Sequence, residues 1–98
     1  MHTVTLDGKE YILRCDLNVA EQIEEKYGSL TGLRKQNGSA AVLKFLTAAM
    51  INEHYKYTGS PDRVTEDFVG ARLTMADRVP VMNTVLVCLG ESITPKNA

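Results

Sequence analysis

The segment that most limits the fold runs from Ser39 to Tyr57. Val42, Leu43, Phe45, Leu46, Ala49, Met50 and Ile51 point in nearly every direction around a helix instead of forming one stripe. A chain of 98 residues with such a helix must wrap the rest of itself around it, or leave part of it to a partner. Ser39 stands at the N-cap and Thr58-Gly59-Ser60-Pro61 stops the pattern, so the sequence predicts a central helix over 40–57. Lys44, Thr47, Asn52 and Lys56 are left to mark a narrow wet side.

Cover for this helix must come from both flanks. At the N-terminus, Asp7-Gly8 is suited to a two-residue type I′ turn, which needs positive φ at both central positions. That turn pairs Leu6 with Lys9, Val4 with Tyr11 and His2 with Leu13, and places Val4, Leu6, Tyr11, Leu13 and Cys15 on one face, with Ile12 on the other. A lone hairpin is marginal in water, so the Tyr11/Leu13 face must be covered by the following helices or by another chain.

Asn18 and Glu21 have capping-box spacing and open a helix with Val19, Ala20, Ile23 and Tyr27 inward, ended by Gly28. Ser29 caps a short second helix with Leu30 and Leu33 inward, stopping around Asn37-Gly38. Beyond the central helix, Thr65-Glu66-Asp67 starts a short helix that buries Phe68, Val69 and Leu73. With Asp77 as the cap of the last helix, Pro80 falls at the third helical position, where its missing N–H costs little. That helix presents Val79, Met82, Val85, Leu86 and Leu89 on one side, and Gly90 closes it. The fold class expected is α+β in a single domain over 1–98: a β-hairpin over 1–15, a bundle of four to five helices over 18–90, and a frayed tail over 91–98.

Composition narrows the functional classes. With 44% apolar and 23% charged residues the chain is built to fold, and a net charge of -1 gives no general attraction to phosphate. Nucleic acid and anionic membrane are therefore not expected partners. The longest mostly apolar run, Ala40 to Ile51, is too short to span a bilayer, and no secretory signal precedes the first strand, so the cytoplasm is the expected location. Cys15 and Cys88 lie in apolar patterns and read as reduced thiols.

No enzyme, metal or cofactor signature is present. Two histidines without a cysteine pair do not make a zinc site, Asn52-Glu53-His54 lacks the spacing of a zinc protease helix, and nothing places His54 beside a cysteine as its base. The first helix, Gly28-Ser29 and the second helix have the rhythm of a helix-turn-helix, with Arg34, Lys35 and Gln36 as its readers. Glu21, Glu24 and Glu25 on the preceding helix oppose that use. The candidates for protein contact are Tyr11, Leu13, Tyr55, Tyr57, Met75 and Met82, large side chains on the hairpin face or at helix ends, of the kind that anchor interfaces when exposed.

The opening LDGKEYILRCDLNVAEQIEEKYGSL, and above all the stretch from Asp16 to Ser29, resembles the small tail assembly chaperones of long-tailed (siphovirus-type) phages and prophages. The likeness continues through a long apolar helix at Ala40 to Tyr57, a Thr-Glu-Asp-Phe-Val-Gly helix from Thr65, and a last helix from Asp77 to Gly90. Pro80 and the Asn37-Gly38 break depart from the family pattern. The resemblance implies a protein that binds the helical, hydrophobic tape measure protein in the host cytoplasm. It would keep that partner soluble, help tail tube subunits assemble around it, and be absent from the finished virion. Such families also make a longer frameshifted product, and the open strand edges of the hairpin are expected to allow pairing with another copy. The alternatives are a structural tail or head-completion subunit and a small DNA-binding regulator.

Overall fold

A computed structural model of the chain describes residues 1–36 and 38–94. Strands β1 (His2–Leu6) and β2 (Lys9–Leu13) form an antiparallel hairpin. It is followed by α1 (Leu17–Tyr27), α2 (Leu30–Lys35), α3 (Ala40–Thr58), α4 (Glu66–Arg72), a 3₁₀ turn (Met75–Asp77) and α5 (Arg78–Ile93). The chain is thus α+β, a hairpin followed by five helices. One apolar cluster runs through every strand and helix, and the radius of gyration, 12.8 Å, fits the value of about 13 Å for a single domain of this length.

The hairpin follows from its turn. Asp7 and Gly8 take φ of 50° and 79°, which fixes the register His2↔Leu13, Val4↔Tyr11, Leu6↔Lys9. Val4, Leu6, Tyr11 and Leu13 are consequently all buried together. β2 lies on α3, β1 lies on α5, and the Arg14 N–H donates to the Met50 carbonyl of α3 at 3.1 Å. Tyr11 meets Phe68 of α4 edge to face, and Arg72 reaches from α4 to Asp7 in the turn at 3.6 Å.

α3 is central, with Val42, Leu43, Phe45, Leu46, Ala48, Ala49, Met50 and Ile51 all buried under β2, α1, α4 and α5. The wet side expected for it is narrower than the sequence indicated. Thr47 is fully buried, because α4 and the segment leading into it lie over this side. Gly70 allows the approach: a Cβ there would stand 2.6 Å from Lys44 Cδ. Asn52 is occupied as well, exchanging hydrogen bonds of 2.9 and 2.8 Å with the Val64 main chain.

Two helix ends and one cap differ from expectation. α1 begins at Leu17 with Asp16 as its cap: the carboxylate accepts from the N–H groups of Asn18 (3.0 Å) and Val19 (3.3 Å). A charged acceptor at a helix N-terminus outcompetes a neutral amide two residues later, and Asn18 is freed to bond elsewhere. α5 begins at Arg78 directly after Asp77, as expected, but Asp77 has helical backbone angles and makes no cap bond to that helix; its carboxylate accepts from the Thr74 N–H at 2.8 Å instead. Val79 faces solvent and is 67% exposed, while Cys88 joins Met82, Val85 and Leu89 in the core. Gly90 does not close α5, which continues through Glu91, Ser92 and Ile93, so the frayed tail assigned to 91–98 is helical over its first three residues. Residues 95–98, the rest of that tail, and Asn37, half of the Asn37-Gly38 break, lie outside the described residues. Ser29 and Ser39 cap α2 and α3 as expected.

Candidate protein-binding groove

The short α1–α2 connection positions the site. Gly28 ends α1 with φ 81°, its N–H bonded to the Glu24 carbonyl at 2.8 Å, and Ser29 immediately caps α2 by accepting from Gly32. The two helices make a tight corner whose inner side carries Val19, Ile23 and Leu33 into the core. Because α1 and α2 pack on α3 while the end of α5 passes nearby, a groove is left between the corner and α5.

Ala20, Ile23, Leu30 and Leu89 form the apolar floor of this groove, whose volume is about 660 Å³. It continues past Leu30 and Ile93 into a pocket of about 150 Å³ lined by Leu33, Leu46 and Leu86. Two aliphatic side chains stand at its rim largely in solvent, Leu17 at 86% and Ile93 at 53% exposure. Asp16, Glu24 and Glu91 line it as carboxylates and Arg14 as the cation.

One end of the groove is a polar knot. Arg14 Nε donates to Asp16 Oδ2 at 3.1 Å while its guanidinium stacks on the Tyr57 ring at 3.5 Å. Asn18 Nδ2 donates to Oε2 of Glu53 at 3.0 Å, and the buried Oε1 of Glu53 has no hydrogen-bond partner among the described residues. Partial burial alone would raise the Asp16 carboxyl. The hydrogen bonds it accepts from the Val19 and Asn18 N–H groups and from Arg14 hold it below the ordinary value all the same.

The two thiols, far apart in sequence, come near one another here, between the end of β2 and α5. Burial, with smaller contributions from Cys15 and Glu91, pushes Cys88 up to about 11. Burial likewise raises Cys15, against the hydrogen bond it shares with Ser92. Neither thiol is set up as a nucleophile. Among the described residues no group of three His, Cys, Asp or Glu side chains is placed to hold a metal, and no helix is long and apolar enough to cross a membrane.

The six sequence candidates for protein contact separate. Tyr11, Leu13 and Met82 are buried core groups, closed to a partner while the domain is folded. Their assignment as contact residues is corrected accordingly: the hairpin face is covered from within by α3, α4 and α5. Tyr55 is half-buried against the core. Tyr57 is exposed beside Arg14 at the end of the groove, and Met75 is 82% exposed on the rim of a separate cleft between α3 and α4. Sequence reasoning missed Leu17, Leu30, Leu89 and Ile93 as a set. Leu17 fell outside the expected helix and Ile93 inside the expected tail, and only the packing of α5 beside α1 joins them. Arg34, Lys35 and Gln36 are exposed at the end of an α2 of six residues, alongside exposed Glu21, Glu24 and Glu25 on α1. Comparisons with family models, with curated proteins and with solved structures give no match to this chain.

Proposed function

We propose that this chain is a tail assembly chaperone of a long-tailed phage or prophage. It binds the tape measure protein in the host cytoplasm, keeps it soluble while tail tube subunits assemble, and leaves before the virion is complete. The observation that carries this reading is the apolar groove between the α1–α2 corner and α5, open at Leu17 and Ile93. A groove with an aliphatic floor takes up the apolar face of a helix, the recognition mode a helical, hydrophobic client requires. The Asp16-to-Ser29 stretch that carries the family resemblance is also the stretch that builds one wall of this groove. Self-association is assigned to the hairpin edge. Thr3 and Thr5 sit in the non-hydrogen-bonded pairs of the ladder and turn their main-chain groups outward, free to pair with another copy.

Co-expression with the tape measure protein encoded in the same genome tests the reading. Recovery of a soluble complex, from a tape measure protein that is insoluble alone, is the expected result. An insoluble tape measure with nothing co-purifying would refute it. Mass spectrometry of purified virions separates the chaperone, expected to be missing, from a structural tail or head-completion subunit, which would be found.

A further inference from the structure

We propose that the groove between the α1–α2 corner and α5 takes an amphipathic helix whose apolar stripe is flanked by lysine or arginine, those cations pairing with Glu24 on one wall and Glu91 on the other. This rests on the reading of the groove as the partner site and adds the chemistry of the occupant.

The charge pattern is local and is not a consequence of composition. The chain carries a net charge of only -1, yet the main groove is lined by three carboxylates and one guanidinium, and Arg34 lines only the smaller pocket beyond Leu30. That guanidinium, Arg14, is engaged by Asp16 at 3.1 Å and by the Tyr57 ring at 3.5 Å. The lysine of α1 is turned away: Lys26 lies over Phe45 and pairs with Glu66 of α4 at 3.5 Å. Glu24 makes no ion pair among the described residues, and Glu91 meets only His2, at 3.0 Å, a side chain that is charged only when protonated. Two carboxylates therefore face each other across an aliphatic floor without fixed cations, and a cationic flank on the occupant would supply them.

The dimensions suit a helix. α1, which forms one wall, has 11 residues, about 16 Å or three turns. The floor at Ile23 and Leu89 followed by the deeper pocket beyond Leu30 offers successive seats to side chains spaced i, i+3 or i+4, and i+7. A second copy of this chain is a poorer occupant, since docking groove to groove would bring like charges together, and nucleic acid is repelled by the same carboxylates.

The test uses the full chain and a fluorescein-labelled 18-residue peptide of leucines and lysines in amphipathic helical order, with a leucine–glutamate peptide of the same order as comparison. Fluorescence anisotropy should show the lysine peptide binding at least about tenfold tighter than the glutamate peptide, with affinity falling as NaCl rises from about 0.05 to 0.3 M. Reversing both walls, Glu24→Lys with Glu91→Lys, should abolish or invert the preference. Glu10→Lys, an exposed charge reversal on the hairpin, should leave it unchanged. Equal binding of both peptides, no binding of either, or a preference as sensitive to Glu10→Lys as to the groove pair would overturn the proposal. So would a dimer whose NMR-mapped interface fills the groove. The two readings fail separately. A tape measure complex indifferent to Glu24→Lys/Glu91→Lys would sink the groove proposal alone, whereas groove-specific peptide binding without tape measure recovery would sink the chaperone assignment alone.

Discussion

Replacing Glu53 with glutamine is expected to stabilise the fold by about 1–2 kcal/mol at pH 7. Glu53 is 3% exposed on α3; its Oε2 accepts from Asn18, its Oε1 has no partner, and the Asp16 carboxyl lies within hydrogen-bonding reach. Two carboxyl groups hydrogen-bond each other only by holding a proton, which neutral solvent yields reluctantly. Without that proton neither carboxylate can donate to the other, and the buried Oε1 stays unpaired. An unpaired buried acceptor costs about 1–3 kcal/mol, and the isosteric amide removes that cost. Its oxygen keeps the Asn18 bond, and its NH₂ donates to Asp16 while Arg14 holds the other side of that carboxylate.

For a domain of this size the gain corresponds to a rise in Tm of about 5–10 °C. Urea unfolding followed by circular dichroism should show a higher midpoint at unchanged m-value. A glutamine variant no more stable than the parent at pH 7 would refute the reasoning.

The cap at Asp16 gives a second expectation: Asp16→Ala should cost about 1–2 kcal/mol at pH 7 through loss of the cap and the Arg14 pair. Because the folded carboxyl lies below its ordinary value of 3.8, this stabilisation is complete above that value and is lost as pH falls through the folded pKa. Urea midpoints for the two proteins should therefore converge in strong acid. Gly32→Ala, which on helix propensity alone would gain about 1 kcal/mol, should lose about 1–3 kcal/mol, because a Cβ there runs into the Tyr27 carbonyl oxygen and forces the α1–α2 corner open. Thermal unfolding decides the sign. Leu46→Ala, at a fully buried position of α3, should cost about 2–5 kcal/mol in the same assay. With Cys88 pushed up to about 11, iodoacetamide at pH 8 should label Cys15 first and Cys88 quickly only in denaturant; peptide mass spectrometry showing Cys88 labelled at the rate of a free thiol in the folded protein would contradict that.

The sequence by itself determined the parts whose causes are local. Asp7-Gly8 admits the positive φ of a tight turn and thereby fixes the register and the inward face of the hairpin. Ser29, Ser39 and Thr65 bond N–H groups three residues on, and Gly28 and Gly59 take the left-handed side of φ, so these helix ends could be read without any knowledge of packing. An α3 with no polar face had to be central, because in a chain this short such a helix is stable only when the other elements surround it. What only the tertiary structure decided depends on which element lies beside which. Asp16 and not Asn18 caps α1, with Asn18 engaged by Glu53 from α3, and Thr47 is dry because α4 closes over it. Tyr11, Leu13 and Met82 belong to the core, while Leu17 and Ile93 do not. The groove and its acidic lining depend on bringing α5 beside α1, segments separated in the chain by residues 28–77. Periodicity along one helix records which face is apolar, but not which apolar face will be left without a neighbour.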